Sequence, residues 1–511
     1  MMKRRQFCGV SVGAAVAAAL PGGPAFAATA RAIASGGADV NAVTGAGAQV
    51  TLSRASIDEL AGQLRGNLLL PGNEAYEDAR LLLNPSFDKH PALVVQPRGA
   101  ADVQQAVDFA RAHELLVAVK CGGHSASGKS SCDGGMQIDL SLLRFARVDP
   151  QARTALMGGG SLLGELDHEA MAQGLVTTAG TVSHTGVGGL TLGGGFGRVA
   201  RRYGLALDNV RSVEIVTADG RLRHASAEHN PDLYWGVRGG GGNFGVVTAF
   251  EFNLHPMSRQ VVAGRLVYPF AQARQLLEFY GEYGASCPDD LYLDAVMAGP
   301  PGGAEPVFMF SIVWIGDPGR ADEVLAPLRR AGTVLNESIK TWDYVALQRS
   351  GDIDDPRASG SYIKGAFLPG IDSEVARRIV EAFEPHPGRS TVAAFQHSGG
   401  AINRVPADAT AFPHRDAMTN LFTMVGWPFG NESAEHIAYV KSYWQGIEDV
   451  TRGFYANDAR DENQAEVDHN YLGNYDRLVT IKDRYDPTNL FRLNANIRPS
   501  GAAGRARRVA A

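Results

Sequence analysis

Cysteine is nearly absent: the chain has four in 511 residues, and Cys8 falls in an N-terminal leader. Cys121, Cys132 and Cys287 remain, so one disulfide at most is possible and a cross-linked scaffold is excluded. Aromatic residues make up 8% and charged residues 20%, against 45% hydrophobic. That is globular composition and excludes a disordered, fibrous or polytopic membrane chain. Positive charge is also short: 48 Lys and Arg against 54 Asp and Glu leave a net −6, a poor balance for binding nucleic acid. HExxH, CxxC and EF-hand patterns are missing, so a metal enzyme has no support.

What the chain has in excess is glycine. There are 61, and 26 of them lie between Cys121 and Gly245. No Gly-X-Y period accompanies them, so collagen is excluded. Glycine concentrated in a folding chain marks backbone that approaches something closely. The length leaves room for two or three domains, each with its own core.

The chain opens Lys3-Arg4-Arg5-Gln6-Phe7, followed by an apolar run over residues 8–20 and then Ala25-Phe26-Ala27. A basic start, a short apolar run and a small-x-small site read as a signal peptide over residues 1–27. The run is too short to span a bilayer as a helix. The paired arginines resemble a twin-arginine signal, which exports folded proteins; an ordinary secretory signal is the alternative. The expectation is an exported protein, periplasmic or extracellular, that needs no membrane after cleavage. Losing Lys3, Arg4 and Arg5 takes the charge to −9, since residues 1–27 hold no acid.

From about Pro91 strands and helices alternate: short strand patterns at 92–96, 115–120, 137–140, 154–157, 211–217 and 246–252, with helical spacing at 99–114 and 161–173. Beyond about His255 the texture changes. Alternating stretches at 260–268, 291–297, 307–316, 361–367, 390–397 and 421–427 read as a half-buried antiparallel sheet. Amphipathic helices at 271–283, 321–331, 373–383 and 434–450 separate them, which fits helices segregated to one face of a sheet. After about Thr451 the chain turns polar and loop-like until a helix at 474–485, and the alanine-rich tail 500–511 is expected to fray.

Three motif matches fail on context. Gly123 to Ser130 fits the phosphate-loop pattern GxxxxGK[ST] and follows a strand, but no helix follows the lysine to hold a phosphate. Gly240 to Gly245 fits GxGxxG yet precedes a strand, whereas the dinucleotide fingerprint opens a helix. Gly9-Val10-Ser11-Val12-Gly13 fits the hydrolase elbow but lies in the leader.

Three glycine segments remain, at 120–128, 178–197 and 238–245. Their exposed amides can surround an anion such as a pyrophosphate. The stretch Lys120-Cys121-Gly122-Gly123-His124-Ser125, residues 181–197 and residues 218–252 resemble the berberine-bridge-enzyme-like FAD-linked oxidases, of the vanillyl-alcohol-oxidase and p-cresol-methylhydroxylase superfamily. Asn474-Tyr475-Asp476-Arg477-Leu478, Tyr485-Asp486-Pro487-Thr488-Asn489-Leu490-Phe491 and Asn494-Ala495-Asn496-Ile497 look like that group's closing motif. Four spaced motifs occur in the family's order, over about residues 55–499.

The resemblance implies an α+β, two-domain fold: an FAD-binding domain of the p-cresol-methylhydroxylase type at 55–255, a substrate domain on an antiparallel sheet covered by helices at 256–450, and a C-terminal segment, 451–499, that returns to the first. It implies FAD linked covalently to His124. A second link through cysteine is not expected, because Val182-Ser183-His184-Thr185 holds none. The matching cofactor positions are Lys120, Cys121, Gly122, Gly123, Ser125 and Gly128; Thr181, Thr185, Gly186, Gly188, Gly189, Gly193, Gly194 and Gly195; Gly242, Asn243, Gly245 and Val247; and Asn494 and Asn496. The family usually has arginine and a small residue where this chain has Lys120 and Cys121.

Oxidation of an alcohol needs a base for the hydroxyl proton, and Tyr471, just before the closing helix, matches the family's tyrosine; a packing role is its alternative. A phenol needs a positive neighbour or the flavin to ionise near neutral pH. Tyr455 and Asn457 are expected to line the same face, with Tyr362 and His397 as further pocket candidates. The reading is an oxidase of small molecules at C–OH or C–N that passes electrons to O2. A dehydrogenase with another acceptor and a non-catalytic flavin-containing binding protein stay open. So do sugar, phenolic alcohol, alkaloid or polyketide substrates, the oligomeric state, and whether Cys121 and Cys132 pair.

Overall fold

The computed structural model describes residues 37–355, 357–431, 433–458 and 462–501. The leader and most of the tail lie outside them.

The chain builds two lobes. The first opens on a hairpin, Val40–Val43 with Gln49–Leu52, and a helix, Arg54–Gln63. A small sheet then orders Asn67–Leu69, Leu93–Gln96, Met136–Asp139 and Val117–Lys120, the last three parallel. The helix Ala100–Ala112 makes the crossover and buries Val103, Ala106, Val107 and Ala110, a spacing of three and four that keeps one face apolar. A second, antiparallel sheet runs Leu222–Ser226, Val210–Val216, Val246–Asn253, Thr154–Gly158, Ala146–Asp149. The helix Leu163–Ala172 packs beside it.

The second lobe is a wide antiparallel sheet in the order Asn336–Glu337, Gln260–Pro269, Val307–Trp314, Leu291–Gly299, Ser390–His397, Thr419–Pro428, Ser359–Leu368. Alternation divides its faces. Leu291, Leu293, Ala295 and Met297 enter a core shared with Ala273–Ser286, Ala321–Arg330, Ser373–Ala382 and Ala434–Gln445. Tyr292, one residue out of phase, packs instead with Val176 and Val199 of the first lobe. The sheet thus lies between its own helices and the first lobe.

Two departures from the sequence reading matter. Residues 178–197 are not all loop: Val187–Gly193 is a short helix. The polar stretch after Thr451 holds another, Gln464–Asn470, begun by a reciprocal cap between Asn463 and Glu466. The chain's end closes the first lobe. Leu490 and Phe491 join the core of the small parallel sheet, and Tyr485 and Ile497 join that of the antiparallel one. Lys482 and Asp486, both fully buried, pair at 2.7 Å, and Lys482 Nζ also donates to the carbonyls of Asn243 (2.7 Å) and Phe491 (3.0 Å). One buried cation therefore ties the closing motif to the third glycine segment.

Candidate active site

The three glycine segments converge. A Cβ on Gly122 would stand 2.4 Å from the amide nitrogen of Gly186, and one on Gly186 would stand 2.3 Å from that of Gly122. Only two glycines allow this backbone-to-backbone approach. The third segment joins through Gly239 and Gly241, whose amides both donate to the Leu192 carbonyl at 3.0 Å.

The C-terminal part straps this assembly from two sides. Tyr455 Oη accepts from the Gly195 amide at 2.8 Å and from Asn457 Nδ2 at 2.8 Å, and Asn457 Nδ2 donates to Leu190 O. Asn243 is fully buried; its Nδ2 donates to Gly240 O and Ala495 O, and its Oδ1 accepts from Ile497 N. Asn494 lies against Gly242, where a Cβ would meet its Oδ1 at 2.9 Å. Gly193 and Gly194 are likewise bare because Asn457 and the Tyr455 ring press on them.

His124 sits at the meeting of the first two segments. Its Nε2 lies 2.6 Å from Nδ1 of His184, and its Nδ1 lies 3.5 Å from Thr185 Oγ1. Burial, reinforced by His184, pulls the His124 imidazole down to about 4, so the ring is neutral at physiological pH. Ser125 Oγ takes the Lys129 amide and makes a turn, with Gly128 at φ +68 in the left-handed region. Thr181 offers its carbonyl to Arg198, and Val247 packs in the antiparallel-sheet core. Gly195 and Gly245 have positive φ, and Gly188 lies over Cys121. Lys120 reaches no loop amide: its Nζ donates to Ala79 O at 2.5 Å beside Asp139, which makes it a buried strut. Cys121 and Cys132 are free thiols, both raised by burial, Cys121 to about 11.

Whether a large polar cofactor fits can be read from what the cradle leaves unsatisfied. Thr191 Oγ1, on the glycine helix, and Asn496 Oδ1, on the closing motif, are buried without a hydrogen-bond partner among the described residues. Gly189 is exposed, with nothing within 4 Å of where its Cβ would stand. Buried polar atoms left without partners on the glycine helix and the closing motif are what a dinucleotide's phosphates and hydroxyls would satisfy.

Three residues expected on the substrate side, Tyr471, Tyr362 and His397, are buried. Tyr471 is 1% exposed and lies in the core with Val467, Leu478 and Phe454; its hydroxyl has no partner among the described residues. Burial raises the phenol, and among the described residues no cation stands near to favour the phenolate that a base requires. Tyr362 and His397 lie on the helix-covered face. Tyr362 joins Val425 and Trp444 in that core, and His397 Nε2 is 2.9 Å from the Gly284 carbonyl of the helix Ala273–Ser286. A strand buried on both faces shows no polar alternation, and a phase error of one residue exchanges the faces.

The opposite face carries the polar row instead. Asp294, Gln396 and Asn420 lie on adjacent strands; Gln396 pairs with Asn420, and Asn420 Nδ2 donates to Gln396 Oε1 at 2.9 Å and reaches Asp458 Oδ2 at 3.5 Å. Burial pushes the Asp458 carboxyl up to about 7, opposed by Asn420 and helped by Glu462. Asp294, which accepts from Tyr292 Oη and the His397 amide, is also pushed up by burial to about 7. Asp458 follows directly on Tyr455 and Asn457, so the row meets the glycine cradle there. The signal for these residues was polar side chains at buried strand positions, which the sequence alone does not assign to a face.

A model described as an FAD binding domain matches residues 91–226, and one described as "Berberine and berberine like" matches residues 455–498. (R)-6-hydroxynicotine oxidase of Paenarthrobacter nicotinovorans is 30% identical over 463 residues, covering 86% of this chain and 98% of that protein. The chain belongs to the berberine-bridge-enzyme-like FAD-linked oxidoreductases. An uncharacterized FAD-linked oxidoreductase of Bacillus subtilis (strain 168) is also 30% identical, over 86% of this chain and 99% of its own. The crystal structure of 6-hydroxy-D-nicotine oxidase from Arthrobacter nicotinovorans superposes with a TM-score of 0.78 at 27% identity, covering 86% of this chain and 98% of that one. Chitooligosaccharide oxidase superposes with a TM-score of 0.80 at 24% identity over 87% and 100%, a likeness of fold. The segment 455–498 that straps the glycine cradle is thus also the segment that marks this family.

Proposed function

We propose that the protein is an exported FAD-dependent oxidase that takes a hydride from a C–OH, or C–N, carbon of a small molecule and passes the electrons to O2, forming H2O2. FAD, when bound, supplies the hydride acceptor. The observation that carries the reading is the glycine cradle with a neutral histidine at its mouth: residues 122–124, 185–195 and 239–245 would hold the dinucleotide, and His124 would link to it covalently. No cysteine stands in residues 181–189 for a second link.

The chain's own part in the reaction is proton handling and exclusion of water. Asp458 is the proposed acceptor of the substrate's hydroxyl proton. A base works best with a pKa near the operating pH, and burial brings this carboxyl to about 7. Asn420 and Gln396 orient it, and Tyr455, raised by burial, supplies a rigid wall and a polar edge. The leader's paired arginines support export in folded form.

The test is aerobic turnover with a panel of alcohols, sugars and amines, scoring flavin bleaching and peroxide together. Bleaching with stoichiometric peroxide is expected. Bleaching that only an added dye reverses would leave a dehydrogenase, and no bleaching by any class would leave a binding protein.

A further inference from the structure

We propose that His184 is a positioning residue for covalent flavin attachment, fixing the tautomer and orientation of His124 through a relay that begins in the substrate lobe. The inference rests on His124 being the flavin link.

Two imidazole nitrogens 2.6 Å apart, with ring centroids at 4.6 Å, must share one hydrogen between them. The other nitrogen of His184 decides which ring owns it. His184 Nε2 accepts the Ile353 amide at 3.0 Å, so its lone pair points outward and the neutral ring carries its hydrogen on Nδ1. His184 therefore donates, and His124 Nε2 accepts. His124, neutral through burial, then carries its own hydrogen on Nδ1, toward Thr185 Oγ1.

The far end of the relay is fixed as well. Asp352 accepts from the Ser183 amide at 2.7 Å and from Ser183 Oγ at 2.6 Å, so Ile353 is presented to His184 by a clamp of two short bonds between the lobes. For a metal-bound histidine the partner of its other ring nitrogen is commonly worth about 10–100-fold, and an effect of the same order is expected for His124.

In the step this serves, His124 Nδ1 gives up its proton and bonds to the flavin's 8α-methyl carbon as one methyl C–H bond breaks. The electron pair of that bond, with the two protons released, remains on the flavin ring. Dioxygen then removes two electrons and two protons as H2O2. His184 keeps the same bond to His124 Nε2 before and after, because alkylation at Nδ1 leaves that lone pair in place.

The experiment adds FAD in air to the purified protein and its variants. It follows the covalent fraction as flavin fluorescence on a denaturing gel, and total binding as native flavin absorbance. His184→Ala is expected to bind FAD but to load covalently about 10–100-fold more slowly. His184→Asn, whose amide keeps an N–H donor, should recover most of the rate. Added imidazole should rescue His184→Ala where N-methylimidazole, equal in shape but without N–H, does not. Ile353→Pro, which replaces the amide N–H facing His184 Nε2 with a ring carbon and leaves both histidines in the chain, should also slow loading, and it decides the matter if His184→Ala fails to hold FAD. Wild-type loading rates in both His184→Ala and Ile353→Pro would overturn the inference, as would equal rescue by the two imidazoles. Wild-type protein with no covalent flavin would instead sink the His124 link itself.

Discussion

Replacing Lys482 by Met tests the closure of the flavin lobe by the chain's far end. Both Lys482 and Asp486 are 0% exposed, and the ammonium spends its three hydrogens on Asp486 Oδ2, Asn243 O and Phe491 O. Asp486 in turn accepts the amides of Leu490 (2.7 Å) and Phe491 (2.9 Å). Methionine fills nearly the same volume, so the loss is electrostatic: a buried carboxylate without its cation and two carbonyls without their donor. Removing one partner of a buried pair costs about 3–5 kcal/mol, and the orphaned carbonyls overlap with that figure rather than add to it. At about 2 °C per kcal/mol for a lobe of this size, thermal unfolding followed by circular dichroism should drop by about 6–10 °C. Asp486→Asn should cost less, since the amide still accepts from lysine, and the double variant should lose less than the sum of the singles. A Lys482→Met midpoint within about 2 °C of wild type would refute the cage.

Asp458→Asn should lower kcat by about 10²–10⁴-fold and abolish the pH limb near neutrality. With the carboxyl at about 7 in the protein, the base is ionised above that pH, so wild-type activity should rise with pH through about 7; a variant that keeps this limb would exclude Asp458. Tyr471→Phe removes a buried hydroxyl that has no partner among the described residues, so thermal stability should hold or rise with kcat unchanged, whereas loss of turnover with normal folding would restore Tyr471 as the base. Tyr455→Phe removes the acceptor of two N–H donors and should cost about 1–3 kcal/mol, read as a lower unfolding midpoint; no shift would contradict those bonds. Gly186→Ala places a Cβ 2.3 Å from the Gly122 amide and 2.5 Å from Cys121 Sγ, so the two segments must part, and flavin content per protein should fall sharply.

The parts legible in the sequence were those that depend on local pattern. Alternation and helical spacing located the strands and covering helices of the second lobe, because the helices keep one wet side and strands such as Val307–Trp314 alternate buried with half-buried positions. The rejected GxGxxG match proved a turn before the strand Val246–Asn253, as what followed it indicated. His124 stood out because a glycine loop after a strand has few reasons to hold a histidine.

Long-range closure escaped. His184 was read only as the place where a cysteine is missing, since nothing local says that Gly122 and Gly186 touch. Tyr471 and Tyr455 are equally aromatic, and only the fold turns one into a core and the other onto Gly195. Tyr362 and His397 went to the wrong face because their strands are buried on both sides. Gln396 and Asn420, one register row away, were passed over for the same reason.

Peptide mass spectrometry of the acid-denatured protein reads out directly whether His124 holds the flavin covalently in the glycine cradle. The peptide bearing His124 should carry the flavin mass, and His124→Ala should release all flavin to the supernatant. A wild-type His124 peptide at its unmodified mass, with flavin fully extracted or bound elsewhere, would contradict the covalent link.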